Sequence, residues 1–186
     1  MVSFHGAVSR IVNYVDAWAW KIRIETGCKF WGKVYFHKCP GSSIFIANNC
    51  SFRSAATSNL MGLHCPCMIS TLSKNARIVI GHGCGFSGTV IASAKSITLG
   101  NGVRCGANTL ITDTDWHTDD YRAGADAPVV IKDNVWLGYG VKVFKGVRIG
   151  ENSLIGACSV VTKDIPPNVV AAGNPCRVIR RVDNNI

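Results

Sequence analysis

The stretch from Ile131 to Ile165 reads IKDNVW LGYGVK VFKGVR IGENSL IGACSV VTKDI. Written in sixes, it places an aliphatic residue at the head of every unit: Ile131, Leu137, Val143, Ile149, Ile155 and Val161. Four residues after each head stands a small or β-branched residue, namely Val135, Val141, Val147, Ser153, Ser159 and Ile165. A helical face repeats near ~3.6 residues and a strand face at ~2, so neither accounts for this period. Six residues suffice for one short strand and a turn, and three such units close a triangular coil. Stacked coils hydrogen-bond as parallel strands ~4.8 Å apart. Heads and their small partners then point inward. The glycines that follow several heads, Gly138, Gly150 and Gly156, are expected at corners where a positive φ is useful. The expected fold class is all-β, a parallel β-helix with a continuous aliphatic core. An antiparallel sandwich would space its turns ~8–12 residues apart and would not hold one phase through six units.

Upstream the phase returns as Leu99-Gly100-Asn101-Gly102-Val103, Cys105-Gly106-Ala107-Asn108-Thr109 and Ile111. Earlier copies are Ile80-Gly81 with Cys84, Phe86 with Val90, and a fainter Ile46 to Cys50 followed by Phe52. Two segments break the period. Ile111 and Ile131 stand more than three units apart, so residues 112–130 are expected to leave the prism as an extruded loop. That loop is polar and aromatic, with Asp113, Asp115, Trp116, His117, Asp119 and Tyr121. Long excursions from a rigid scaffold are usually functional. The second break is the N-terminus, where Val8, Ile11, Val12, Val15, Trp18, Ala19 and Ile22 recur at helical spacing. Residues 1–27 are read as an amphipathic helix capping the open strand edge of the prism, and residues 28–182 as the β-helix domain. A sharper reading of residues 1–24 is a helix lying on a membrane surface, helped by Trp18, Trp20, Lys21 and Arg23.

Composition agrees with one folded domain. The chain has 186 residues, 47% hydrophobic and 17% charged, with a formal net charge of +9. No stretch approaches the ~18 uninterrupted apolar residues of a membrane span, and residues 1–24 hold no apolar core followed by a small-residue cleavage site. The expected compartment is the cytoplasm. Nine cysteines are then expected as free thiols filling interior positions. The positive charge is spread along the chain without a Lys/Arg run or interleaved aromatic platform, which argues against nucleic acid and suits a phosphorylated small molecule.

His117 is the first candidate for chemistry. Moving an acyl group from a thioester to an alcohol needs a base, because a hydroxyl is a poor nucleophile at neutral pH. Imidazole is suited to the task, and a carboxylate on its far nitrogen fixes tautomer and orientation. Asp113 and Asp115 precede the expected turn and are better placed for that than Asp119, but spacing does not choose between them.

From Ile78 to Val182 the chain resembles the hexapeptide-repeat acyltransferases, in particular the maltose and galactoside O-acetyltransferases and the colanic-acid and capsular-polysaccharide O-acetyltransferases. The segments that carry the resemblance are Asn134-Val135-Trp136-Leu137-Gly138, Val161-Thr162-Lys163-Asp164-Ile165-Pro166-Pro167 and Gly173-Asn174-Pro175-Cys176-Arg177-Val178-Ile179. The resemblance implies a left-handed coil, a homotrimer with sites between neighbouring prisms, acetyl-CoA as acyl donor and no metal. It places His117 at the catalytic position. It assigns CoA contacts to Trp136, Tyr139, Ala157, Thr162, Lys163, Arg177 and Arg180, with the backbone N–H at Tyr139 as oxyanion donor. Lys163, Arg177 and Arg180 suit phosphate groups. Ser87 stands where the sugar-specific members carry an acceptor-binding Asn, so the acceptor is expected to be a saccharide of surface-polysaccharide biosynthesis rather than a free galactoside or maltose.

The rival readings are weaker. A γ-class carbonic anhydrase would need three histidines, and the position five after His117 is Arg122. N-acetylation of an amino or nucleotide sugar and serine-type O-acetylation use the same prism, since fold does not fix function. A non-catalytic scaffold is disfavoured by the His117 loop. A covalent route has no ready nucleophile, because Cys105 occupies an inward head position and Cys158 has no histidine at a readable spacing.

Overall fold

The structure is a computed structural model that describes residues 4–117 and 119–182, with side chains from residue 8 onward. One helix, α1 (Phe4–Ala19), precedes a triangular prism of short strands. The first face is a six-stranded sheet from Arg23–Ile24 to Arg148–Ile149. The second is eight-stranded, from Lys29–Trp31 to Cys176–Arg181, and the third six-stranded, from Tyr35–Lys38 to Val160–Val161. Strands pair in parallel from coil to coil, except that Val169–Gly173 and Cys176–Arg181 form a closing antiparallel pair.

The register is that of the hexads. Ile131 stacks on Ile149, Leu137 on Ile155 and Val143 on Val161. All six heads from Ile131 to Val161 are buried, as are Val135, Val141, Val147, Ser153, Ser159 and Ile165 four positions on. The two buried serines do not leave polar groups stranded. The Ser153 hydroxyl donates to the Pro166 carbonyl and accepts from the Val169 amide, and that of Ser159 donates to Gly156 and accepts from Gly173. Towards the N-terminal end the core turns aromatic, with Phe30, Phe52 and Phe86 stacked at 5.2 and 5.0 Å.

The corner glycines serve a different purpose from the one expected. Gly138 and Gly150 do not have positive φ. A Cβ at Gly138 would lie 2.8 Å from the Ala157 nitrogen, and one at Gly150 would run into the Pro167 backbone. The residue after the head is therefore glycine because the next coil passes too close for a side chain. The left-handed backbone falls two residues later, on Gly140, Gly146, Asn134, Asn152 and Asn168. Asparagine tolerates that region. Here it also links coils, with Asn134 donating to Asn152 and Asn152 to Asn168 at 3.2 and 3.0 Å.

Helix α1 lies against the first coil. Asn13 is buried beneath it, donating to the carbonyls of Ser9 and Gly32 and accepting from the Val34 amide at 2.7 Å. The Tyr14 hydroxyl donates to the Glu25 carbonyl, and its ring meets Phe30 edge-on at 5.7 Å. Two excursions interrupt the prism. Residues 113–128 leave between Leu110–Thr112 and Val129–Ile131, as the broken phase predicts. Residues 54–67 leave between Ser51–Arg53 and Met68–Thr71, where the sequence reading found no repeat and assigned no loop.

Of the thiols, Cys28, Cys50, Cys67, Cys84, Cys105 and Cys176 are buried, and all nine cysteines are unbridged. Burial pushes the Cys105 thiol well above its ordinary range, consistent with an inert core position. Ile149 sits at the centre of the ladder, between Ile131 above and Ile165 below. Ile149→Ala is expected to cost about 2–5 kcal/mol in urea unfolding, the usual cost of deleting a large aliphatic side chain from a packed interior. A cost near zero would mean that the stacked heads are not what holds the coils together.

Candidate functional site

The loop that carries His117 is tied down at both ends. Asp113 is completely buried at its start, and its carboxylate accepts from the Ser93 hydroxyl (2.7 Å) and from the amides of Ala94 (2.6 Å), Lys95 (3.0 Å) and Ser96 (2.6 Å). Four donors around one carboxylate satisfy a buried charge that would otherwise be costly. These donors belong to the coil above, at the corner between the third and first faces. Asp115 is held from below: the Lys145 ammonium donates to it at 2.5 Å and the Gly124 amide at 3.1 Å, while the same ammonium reaches the Gly124 carbonyl at 2.7 Å. At the far end the Ala127 amide donates to the Asp113 carbonyl, and the Gly146 amide to that of Ala127.

Between these anchors His117 is exposed on a tight turn. Its amide donates to the Asp115 carbonyl at 2.9 Å and its carbonyl accepts from Asp120. The residue before it, Trp116, holds φ at 71° and is itself exposed. Among the described residues, neither Asp113 nor Asp115 is hydrogen-bonded to the His117 imidazole. The expectation that one of them turns the ring is thus not met within this chain. Their oxygens are engaged by the backbone and by Lys145, and they fix the loop instead. Asp120, which the sequence reading did not weigh, is occupied by Arg122 in a bidentate pair.

The expected ligand-holding residues are spread over the prism. Trp136 and Arg180 line one groove on the second face, a cavity of ≈ 500 Å³ with Arg104, Asn134 and Asn152. Tyr139 and Ala157 lie one above the other at the corner between the second and third faces, where the Cys158 amide donates to the Tyr139 carbonyl. Among the described residues the Tyr139 amide has no backbone acceptor, and the same holds for Ala107 and Ala157 at equivalent corner positions. Thr162 and Lys163 are exposed at the corner between the third and first faces, in the coil beneath Lys145. Arg177, on the closing strand, is exposed and donates to the Cys176 carbonyl. One prism therefore does not bring all seven to a common surface. Ser87 is buried, its amide donating to the Thr89 hydroxyl at 3.2 Å and its carbonyl accepting from the Asn108 amide at 3.0 Å.

The excursion at residues 54–67 was not foreseen and lies beside Asn108. The His64 amide donates to the Asn108 side chain at 2.8 Å, which in turn donates to the Gly62 carbonyl at 2.9 Å. The His64 ring stands edge-on to Tyr139, with centroids 6.5 Å apart. Beneath it a cavity of ≈ 420 Å³ is lined by Lys33, Tyr35, Ser54, His64 and Cys65. The sequence signal for this loop is the lost phase between Phe52 and Ile69, the next buried residue in that strand pattern. Among the described residues no three His, Cys, Asp or Glu side chains gather as a metal site.

The tie between Asp115 and Lys145 sets a pH dependence. The hydrogen bond from Lys145 holds the Asp115 carboxyl below its ordinary range, and the Gly124 amide adds to this. A carboxyl lowered on folding contributes its stabilisation fully above the ordinary carboxylate pKa and loses it as pH falls through the folded value. Protection of the Gly124 amide, its exchange rate taken relative to the intrinsic rate at each pH, is therefore expected to fall as the solution is acidified below the usual carboxylate range. In Lys145→Ala the same loss of protection should begin at higher pH. Protection at Gly124 that ignores both acid and Lys145 would show that the ion pair does not hold the loop.

Comparison with known proteins follows the same geography. Residues 128–163 match the family described as bacterial transferase hexapeptide (six repeats). The galactoside O-acetyltransferase of Lactococcus lactis subsp. lactis is 46% identical over 117 residues, 60% of this chain and 56% of that protein. A solved galactoside acetyltransferase in complex with coenzyme A aligns at a TM-score of 0.51 with 39% identity, over 59% of this chain and 56% of that one. The N-acyltransferase AntD from Bacillus cereus, solved with a nucleotide sugar and coenzyme A, aligns at a TM-score of 0.67 over 88% of this chain and 87% of that one. Its 18% identity shows the fold alone. The chain spans about half the length of the curated relatives it matches. The repeat, the three parallel sheets and these likenesses together make the prism a left-handed parallel β-helix, and the chain is similar to the acetyltransferases built on that hexapeptide repeat.

Proposed function

We propose that the protein is an acetyl-CoA-dependent O-acetyltransferase acting on a saccharide hydroxyl, in surface-polysaccharide biosynthesis. The observation that carries this reading is the presentation of His117: an exposed imidazole on a loop clamped from above through Asp113 and from below through Asp115 and Lys145. A general base must be held in place yet remain open to its substrate, and this arrangement meets both needs. The repeat matched at residues 128–163 and the coenzyme A complex of the galactoside acetyltransferase support the choice of donor.

In the proposed reaction donor and acceptor are bound together. The acceptor hydroxyl attacks the thioester carbonyl carbon, His117 takes its proton, and the Tyr139 amide donates to the oxygen on which charge builds. The C–S bond breaks and the departing thiolate takes the proton back from His117. Trp136, Tyr139 and Ala157 would flank the pantetheine arm, and Thr162, Lys163, Arg177 and Arg180 the nucleotide end. The acceptor would approach through Ser87 and the corner at Asn108. Because one prism spreads these residues over different corners, we place the site between neighbouring prisms of a homotrimer, the loop of one chain facing the groove of the next. Asp113 and Asp115 act here as positioning residues, through the loop.

Two substitutions separate the roles. With acetyl-CoA and a verified saccharide acceptor, His117→Ala is expected to lower kcat by ~10²–10⁴-fold while coenzyme A binding by calorimetry stays as in the parent. Lys163→Ala is expected to weaken coenzyme A binding and spare most of kcat. Unchanged turnover in His117→Ala removes the base assignment, and ping-pong kinetics removes the direct transfer.

A further inference from the structure

A helix that caps a core should be apolar inside and polar outside. Helix α1 is not. Its inner side packs through Asn13, Tyr14 and Ala17, while Val8, Ile11, Val12, Val15 and Trp18, spaced three and four apart, form a stripe on the other side. The stripe is open to solvent, with Ile11 63% and Trp18 79% exposed. Burying this set against the prism would need the helix to turn over and give up the Asn13 bonds to Gly32 and Val34. The orientation is therefore fixed, and the apolar face is left outward by construction.

The surroundings of the stripe are basic. Beside the helix stand Lys21, Arg23, Lys29 and Lys33, all exposed, against the two carboxylates Asp16 and Glu25, while Arg10, three and four residues before Asn13 and Tyr14, belongs to the inner side. Both carboxylates lie near cations of the same set, Lys33–Asp16 at 4.0 Å and Arg23–Glu25 at 3.5 Å. Trp20, half-buried against His37, and Trp31 stand at the same end of the prism. No helix among the described residues is long and apolar enough to cross a membrane.

We propose that the outward face of α1 docks the protein on an anionic lipid surface, the stripe entering the headgroup boundary and the flanking Lys and Arg meeting lipid phosphates. An apolar helical face edged with Trp and basic residues is the pattern of interfacial helices, and charge supplies the lipid selectivity. This inference stands apart from the catalytic reading, since it uses no residue of the proposed transfer site.

The test is co-flotation of the whole protein with phosphatidylcholine vesicles, with and without phosphatidylglycerol. Binding is expected to the anionic vesicles, to fall with added salt, and to be absent on phosphatidylcholine alone. The double variant Ile11→Ser/Val15→Ser should lose about tenfold or more in vesicle affinity. It should melt at the parent temperature, because both side chains are already exposed. Lys21→Glu/Arg23→Glu should weaken binding and flatten its salt dependence. Failure of the parent protein to float with anionic vesicles overturns the proposal, as does equal binding by the serine variant. Loss of self-association in the serine variant, seen by light scattering with no change in vesicle binding, would instead assign the stripe to a second copy of the chain.

Discussion

Each coil of this protein can close only if the residue one turn below lies directly beneath the one above. That vertical registry is the constraint on which the rest depends. It is met inside by aliphatic heads that stack like on like, Ile131 on Ile149 and Leu137 on Ile155. It is met at the corners by a glycine where two coils nearly touch and, two residues later, by a residue of positive φ, an asparagine or glycine at most corners and Cys158 at one. Extra residues are tolerated where they leave the prism between strands and return in phase, as 113–128 and 54–67 do.

A scaffold this regular offers little concavity of its own, so specificity has to come from what interrupts it. The two excursions do this differently. The loop at 113–128 is fastened to the coils on either side by carboxylates, one fully buried and one in an ion pair, and it spends those charges on position. The excursion at 54–67 is tied by backbone bonds at its ends, the Ser54 and Ala55 amides donating to the Trp31 carbonyl, and by Asn108 near its middle, and it brings His64 next to Tyr139. In the functional reading proposed here, the first presents the base and the second borders the acceptor's approach. The grooves and corners of one prism are then incomplete until a neighbour supplies the opposite wall.

The phase of six made the fold class, the core heads and the His117 loop legible, because a period repeated many times fixes register without knowledge of partners. Other features depended on contacts that sequence spacing does not express. The glycines after the heads looked like sites of positive φ, and only the distance to the next coil shows that they are sites of close approach. Asp113 and Asp115 looked like partners for His117 because they are near it in sequence, yet their oxygens point to Ser93, Ala94, Lys95 and Ser96 and to Lys145. The excursion at 54–67 went unread because only a faint copy of the repeat precedes it. The outward stripe of α1 was visible as periodicity, but which side faced the prism was settled by Asn13, a polar residue that no apolar pattern counts.

The central claim is that the site is completed between chains, by a His117 loop of one and a groove of the next. Co-assembly of two disabled chains tests it most directly, one carrying His117→Ala and the other Ala157→Trp to fill the groove corner. The account predicts that each homo-oligomer is inactive for acetyl transfer and that the mixed oligomers recover activity, since some interfaces pair an intact loop with an intact groove. A mixture no more active than its two parents, with mixed assembly verified by mass, would place the whole site within one chain and contradict the account.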